Sequence, residues 1–132
     1  MANAVREIAA LIADLQQDGV TVRVAVTAAA SGKLPERLED ILRAHSRIHA
    51  AEGDFYRDVV AAACETVGLE VHRVVERDLP ALTGALLRLD RAALDGRLKQ
   101  MGAELGPPWS EDYKLATQAA WIRLDAAPSK AP

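Results

Sequence analysis

The sequence predicts a helix-rich α/β fold in which a small parallel sheet, of two or three strands, packs against a long central helix. Two observations support this. Residues 20–27 alternate four valines with Thr, Arg, Ala and Thr, which is the period of two expected for a half-buried strand. The segments on both sides instead repeat apolar residues every three or four positions, as amphipathic helices do. A strand, a long helix and a second strand are typical of a parallel crossover.

The chain begins with a helix that leads into this strand. Asn3 is placed to cap the helix, which ends near Gln17. Gly19 follows at the position where a left-handed residue commonly terminates a helix. We expect a loop over 28–33 after the strand. The apolar stripe of the first helix consists of Val5, Ile8, Ile12 and Leu15.

A second helical pattern runs from about residue 35 to residue 67, with Pro35 suited to its first turn. Because this length is unusual for a globular helix, we expect a kink or break at Gly53. Gly68 ends the helix, and 69–76 form the second strand.

The C-terminal half of the chain is predicted to be helical. Asp78 and Pro80 open a short helix, and Asp90 caps the next one. That helix stops at the Gly-Pro-Pro sequence of 106–108. Ser110 caps the last helix, which ends near residue 125.

Two strands make a poor sheet by themselves. The chain of 132 residues also contains 26 alanines and only five aromatic residues, so its core consists of small side chains and buries little surface. We predict one domain over residues 1–125 with a disordered tail over 126–132. Either a third strand is hidden in this chain or another chain completes the sheet, and we expect another chain, in a homo-oligomer or as a protein partner.

Composition excludes several classes of protein. The net charge of −3 and the scattered arginines do not favour nucleic-acid binding. No apolar run is long enough to span a membrane, and the N-terminus lacks the pattern of a signal peptide. Cys64 is the only cysteine, so we expect a small buried apolar residue and a reducing, cytoplasmic location. No nucleophile–base pair can be assembled from spacing.

The long helix carries a polar stripe. A helical wheel places four hydrogen-bonding side chains on the face that is predicted to point inward, together with Leu38, Leu42, Val59, Val60 and Ala63. Buried polar groups require partners. We refer to these four side chains as the polar stripe: His45, His49, Glu52 and Tyr56.

Three interpretations of the polar stripe are open. It is an internal hydrogen-bonded network, a polar interface between helices of two subunits, or a site. In a site, His45 and His49 at i and i+4 share a metal ion such as Zn²⁺, with Glu52 as third ligand or general base. The Glu that follows the first His in zinc proteases is absent.

The order of elements resembles the C-terminal portion of the RNase H-like fold, as in RuvC-type Holliday-junction resolvases. The resemblance implies that the first three-stranded meander of the family is absent, which fits a sheet that needs completion. The acids of the family do not carry over, because only Asp112 or Glu111 lies near a matching position. The matching segments are 5–17, 20–27, 35–67, 69–76 and 111–124.

We therefore expect a non-catalytic cytoplasmic protein without a cofactor, which acts by association with itself or with a protein partner. The alternative is a metal-dependent hydrolase that uses His45, His49 and Glu52 on the long helix.

Overall fold

The computed structural model describes residues 1–29 and 32–126 of the chain. It confirms a helix-rich α/β fold with a small parallel sheet and one long helix. None of the described helices has the length and apolar character needed to cross a membrane. The elements are α1 (Ala2–Gln17), β1 (Val24–Ala29), α2 (Leu38–Leu42), α3 (His45–Thr66), β2 (Glu70–Val75), a 3-10 turn (Glu76–Asp78), α4 (Leu79–Leu87), α5 (Arg91–Leu105) and α6 (Glu111–Ala126).

β1 and β2 form a parallel pair, with Val24 opposite Glu70 and Ala29 opposite Val75. The chain crosses from β1 to β2 through α2 and α3, as the strand–helix–strand order predicts. Residues 1–29 and 32–126 contain no third strand, so the outer edge of each strand lacks a neighbouring strand within the described chain.

Helices cover both faces of the sheet. His72 and Arg73 are neighbours in β2 and so point to opposite faces. The Nε2 atom of His72 lies 3.0 Å from Nη2 of Arg123 in α6. Arg73 instead donates to Asp58 of α3 over 2.6 Å. Because α6 and α3 lie on opposite faces, all six residues of β1 are half-buried, and the predicted alternation of a buried face with a more open one is absent.

The buried residues are few and lie in two places: on the C-terminal half of α3, and on α4, α5 and α6, where α4 contacts both α5 and α6. The largest fully buried side chains are those of Leu79, Leu94 and Thr83, and three of the other six buried residues are alanines. Alanine and leucine therefore contribute equally many residues to the described interior. The buried residues are Ala61, Ala63, Cys64, Leu79, Thr83, Leu94, Leu98, Gln118 and Ala119.

β1 begins at Val24 rather than at Val20, where the valine alternation starts. Val20 instead belongs to the end of α1, since its N–H donates to the carbonyl of Leu15 over 2.9 Å. Gly19 supplies the left-handed turn of this cap, with φ of 80°, as predicted. At its other end the strand includes the first two positions of the predicted loop 28–33, of which residues 30 and 31 lie outside the described part.

The predicted break at Gly53 is wrong, because α3 continues through this residue. The chain leaves helical geometry earlier, at Ala44, which is extended with φ of −134° and ψ of 126°. Arg47 stabilises the junction by donating to the main-chain carbonyl of Asp40 in α2 over 2.9 Å. The C-terminal carbonyls of a helix require such partners, so a side chain from the next helix stabilises the break.

Asn3 is not a cap, whereas Asp78 and Asp90 occupy the predicted positions at the starts of α4 and α5, with Pro80 in the first turn of α4. Asn3 lies inside α1, which begins one residue earlier, and its side chain accepts a hydrogen bond from Arg6. Asp78 precedes α4 without a capping hydrogen bond from its side chain. Asp90 caps α5, since its Oδ1 accepts from the N–H of Ala93 over 2.8 Å.

Three other helix boundaries can be set against those that the sequence predicts. Pro35 does not begin a helix, because α2 starts at Leu38 after an extended Arg37. Gly68 ends the long helix with φ of 89°, as predicted. α6 includes Ala126, the first residue of the predicted tail, and residues 127–132 lie outside the described part.

Burial predicts that two leucines of α5 contribute very differently to the free energy of unfolding. Leu94 is 1% exposed, whereas Leu105 is 69% exposed. We expect Leu94→Ala to lower the free energy of unfolding by about 2–5 kcal/mol, because it leaves a cavity. Leu105→Ala should change it by less than about 0.5 kcal/mol. Urea unfolding followed by circular dichroism measures both, and equal losses would contradict the described core.

Candidate functional site

The polar stripe occupies the N-terminal half of α3, and His45 is the first residue of the helix. Its side chains face solvent. Those of His49 and Glu52 are 63% and 60% exposed, and Tyr56 is 67% exposed. The prediction that these residues point into the core is therefore wrong.

The polar stripe nevertheless shares its angle around the helix with one of the three buried residues of α3, Ala63. At about 100° per residue, His45 falls at nearly the same angle around the helix as Ala63. Glu52 and Tyr56 lie within about 20° of that angle. Ala63 is 0% exposed. At this helical angle α3 is thus buried at Ala63 and exposed along the polar stripe, and Val60, about 60° from Ala63, is also 41% exposed.

Three members of the polar stripe form a chain of hydrogen bonds. The Nε2 atoms of His45 and His49 are 2.8 Å apart. The other ring nitrogen of His49, Nδ1, lies 3.2 Å from Oε2 of Glu52. The two imidazole rings meet edge to face, with centroids 4.3 Å apart. The structure therefore brings together His45, His49 and Glu52, as the predicted network required.

The partners of His49 determine where its proton lies. An ionised carboxylate only accepts hydrogen bonds, so Nδ1 of His49 carries a hydrogen and donates to Glu52. In a neutral His49 the Nε2 atom then has a free lone pair. Nε2 of His45 donates to that lone pair. The order of donors is His45, then His49, with Glu52 as the final acceptor.

Tyr56 does not join this chain. Its ring packs against that of Phe55, with centroids 5.8 Å apart at an interplanar angle of 66°. Phe55 is 63% exposed, so two aromatic rings lie together on the surface of α3. This pair is an apolar feature next to the histidines.

The three-ligand metal site predicted for His45, His49 and Glu52 is not formed. Across residues 1–29 and 32–126, no three His, Cys, Asp or Glu side chains are grouped so that they could hold a metal ion. Glu52 bonds Nδ1 of His49, whereas the two Nε2 atoms face each other. The carboxylate therefore orients a histidine and does not complete a ligand set.

A second cluster of polar residues was missed from the sequence. His72 in β2 is 25% exposed, and its Nε2 lies 2.8 Å from Oε1 of Glu70 and 3.0 Å from Nη2 of Arg123. Glu70 and His72 are two residues apart and so share a strand face, which is a signal in the sequence. Arg123 lies 51 positions from His72, and only the packing of α6 on the sheet brings it there. The cluster ties β2 to α6.

Cys64 is buried, as predicted. Burial raises the pKa of the Cys64 thiol above its usual value, and the neighbouring Glu65 carboxylate acts in the same direction. A thiol is nucleophilic only as the thiolate. Cys64 is therefore a packing residue in this fold.

Comparisons of the chain with protein-family models, with curated proteins and with solved structures found no match in any of the three. Function is therefore inferred from the geometry of the described residues.

The exposure of the polar stripe predicts a small effect of Glu52→Leu. If Glu52 bonded the histidines inside the core, its loss would cost about 1–3 kcal/mol of stability. Because it lies on the surface, we expect a change within about 0.5 kcal/mol. Thermal melts of the wild-type and variant proteins measure this. A loss in the larger range would show that the N-terminal half of α3 is covered in solution.

The raised pKa of Cys64 predicts slow alkylation. Iodoacetamide should label the native protein much more slowly than the urea-unfolded protein, because the thiolate is scarce and buried. A raised pKa also means that the native thiol ionises at higher pH than the unfolded thiol, so the contrast should persist through the usual range of thiol titration. Mass spectrometry measures the labelling rates, and equal rates would contradict the burial of Cys64.

Proposed function

We propose that the protein is a non-catalytic α/β protein that acts by association, with a second copy of itself in the first instance or with a protein partner. The observation that carries this proposal is the uncovered N-terminal half of α3. Its polar stripe continues the face on which Ala63 is fully buried. A second chain that packed there would extend the same buried face along the rest of the helix.

The total surface supports the proposal. The chain exposes 9431 Å². A compact monomer of 14.2 kDa is expected to expose about 6,800 Å². The eight residues outside the described part would add no more than about 1,300 Å² even if fully extended. The remaining excess exceeds the roughly 800 Å² that each partner buries in a standard interface.

Apolar side chains beside the polar stripe also support an interface. Phe55 and Val60 lie on either side of it, within about 80° of Ala63 around the helix. Phe55 and Tyr56 are 63% and 67% exposed, and Leu42 of α2 is exposed as well. Aromatic residues at the centre of an apolar patch contribute much of the free energy of association.

The sheet offers a further surface for association. The outer strand β2 carries Glu70, His72 and Arg73, and charged side chains on an edge oppose pairing with another strand. β1 has the sequence Val-Ala-Val-Thr-Ala-Ala and no charge. Its outer edge is therefore the one that suits a strand from another chain.

Two further proposals concern the fold family and the cellular location of the protein. The order α1, β1, α3, β2, α6 supports the RNase H-like resemblance, but β1 contains no acidic residue and we propose no nuclease. We place the protein in the cytoplasm, on the grounds of its lone buried cysteine. We do not pursue the hydrolase alternative, since a catalytic zinc site requires three protein ligands.

Association is tested by sedimentation equilibrium over a range of micromolar concentrations. We expect a concentration-dependent dimer whose dissociation constant rises at least about tenfold in Phe55→Asp, because the charge must be desolvated in the interface. Leu105→Asp is the matched control, since Leu105 is equally exposed but lies on α5. A well-folded wild-type monomer at micromolar concentration, or equal effects of the two variants, would contradict self-association through α3.

A further inference from the structure

The two histidines of the polar stripe meet in an arrangement that suits a metal ion. Their Nε2 atoms are 2.8 Å apart on an exposed helix face. We propose that His45 and His49 form a surface site for one divalent cation of the late first-row transition series, such as Zn²⁺. Water or another chain would supply the remaining ligands. The site lies on the helix face of the proposed interface, but cation binding does not require association.

The distance between the two nitrogens fits such an ion after a small adjustment. Zinc binds imidazole nitrogen at about 2.0–2.1 Å, and two tetrahedral ligands are then about 3.3 Å apart. The observed separation of 2.8 Å must therefore open by about half an ångström. Both rings are free to rotate by this amount, because neither side chain is buried.

The positions of the imidazole hydrogens on His45 and His49 also suit cation binding. Glu52 accepts the Nδ1 hydrogen of His49 over 3.2 Å, which leaves the lone pair of Nε2 directed at His45. A carboxylate behind a ligating histidine fixes its tautomer and raises its basicity, as is usual for metal-bound histidines. His45 needs only to move its hydrogen from Nε2 to Nδ1, and both Nε2 atoms can then donate to the cation.

One electrostatic effect, that of the helix dipole, opposes binding of the cation and is weaker than coordination by the two imidazole nitrogens. His45 is the first residue of α3, and the N-terminus of a helix carries partial positive charge. For a doubly charged ion this effect near a solvated helix end reduces the affinity by about 3- to 30-fold. The negative charge of Glu52, one turn beyond His49, offsets part of it.

Other soft ligands of the chain are not available to compete. The Cys64 thiol is buried, and its raised pKa keeps it protonated. His72, the third histidine, has its Nε2 between Glu70 and Arg123. Unlike the paired Nε2 atoms of His45 and His49, Nε2 of His72 already has a carboxylate and a guanidinium as neighbours.

The test is a titration of the full chain with ZnCl₂, followed by the proton NMR signals of the three imidazole rings. We expect two of the three to shift and saturate at about one equivalent, with the His72 signal unchanged. His45→Ala and His49→Ala should each weaken binding at least about tenfold, and Glu52→Gln by about tenfold. Circular dichroism of each variant confirms that it is folded.

His72→Gln is the matched control, because it removes an imidazole that is outside the site and should leave the affinity unchanged. The proposal is overturned if the wild-type signals do not shift in excess ZnCl₂. It is equally overturned if both alanine variants bind as tightly as the wild type, or if His72→Gln abolishes binding. Sedimentation measures association separately. A failure of the cation-site proposal can therefore be told apart from a failure of the self-association proposal.

Discussion

The length of α3 relative to the sheet is the constraint on which the rest of the structure depends. α3 has 22 residues and extends about 33 Å, whereas the six residues of each strand extend about 20 Å. The C-terminal end of α3 lies in the core, where Ala61, Ala63 and Cys64 are buried. About 13 Å of helix, the first nine residues, therefore extends beyond the sheet. That overhang contains His45, His49 and Glu52.

The overhang explains why polar residues are tolerated at the helical angle of the buried Ala63. A histidine pair and a carboxylate in a closed core would need every polar atom satisfied. On the overhang, solvent hydrates them, and they also bond to one another over 2.8 Å and 3.2 Å. Phe55 and Tyr56 follow this overhang in the helix and are also exposed. The polar stripe and the aromatic pair therefore lie next to each other on one exposed stretch of α3.

Local rules explain how much of the fold could be predicted. Gly19 and Gly68 adopt the left-handed geometry that ends α1 and α3, and Asp90 caps α5, because each depends on a few neighbouring residues. The parallel pairing follows from a long helix between two strands. For the site, the periodicity of α3 correctly aligned the polar stripe with Ala63. The mutual bonding of His45, His49 and Glu52 followed from their spacing on a helix.

The sequence by itself determined the type and order of the elements, since these depend on backbone propensity and periodicity. Only the tertiary structure decided which part of α3 is buried and which is exposed, because burial depends on which elements pack against the helix. It also decided the break at Ala44, where Arg47 reaches back to Asp40. The contact of His72 with Arg123 likewise joins residues far apart in the chain, and no local pattern encodes that distance.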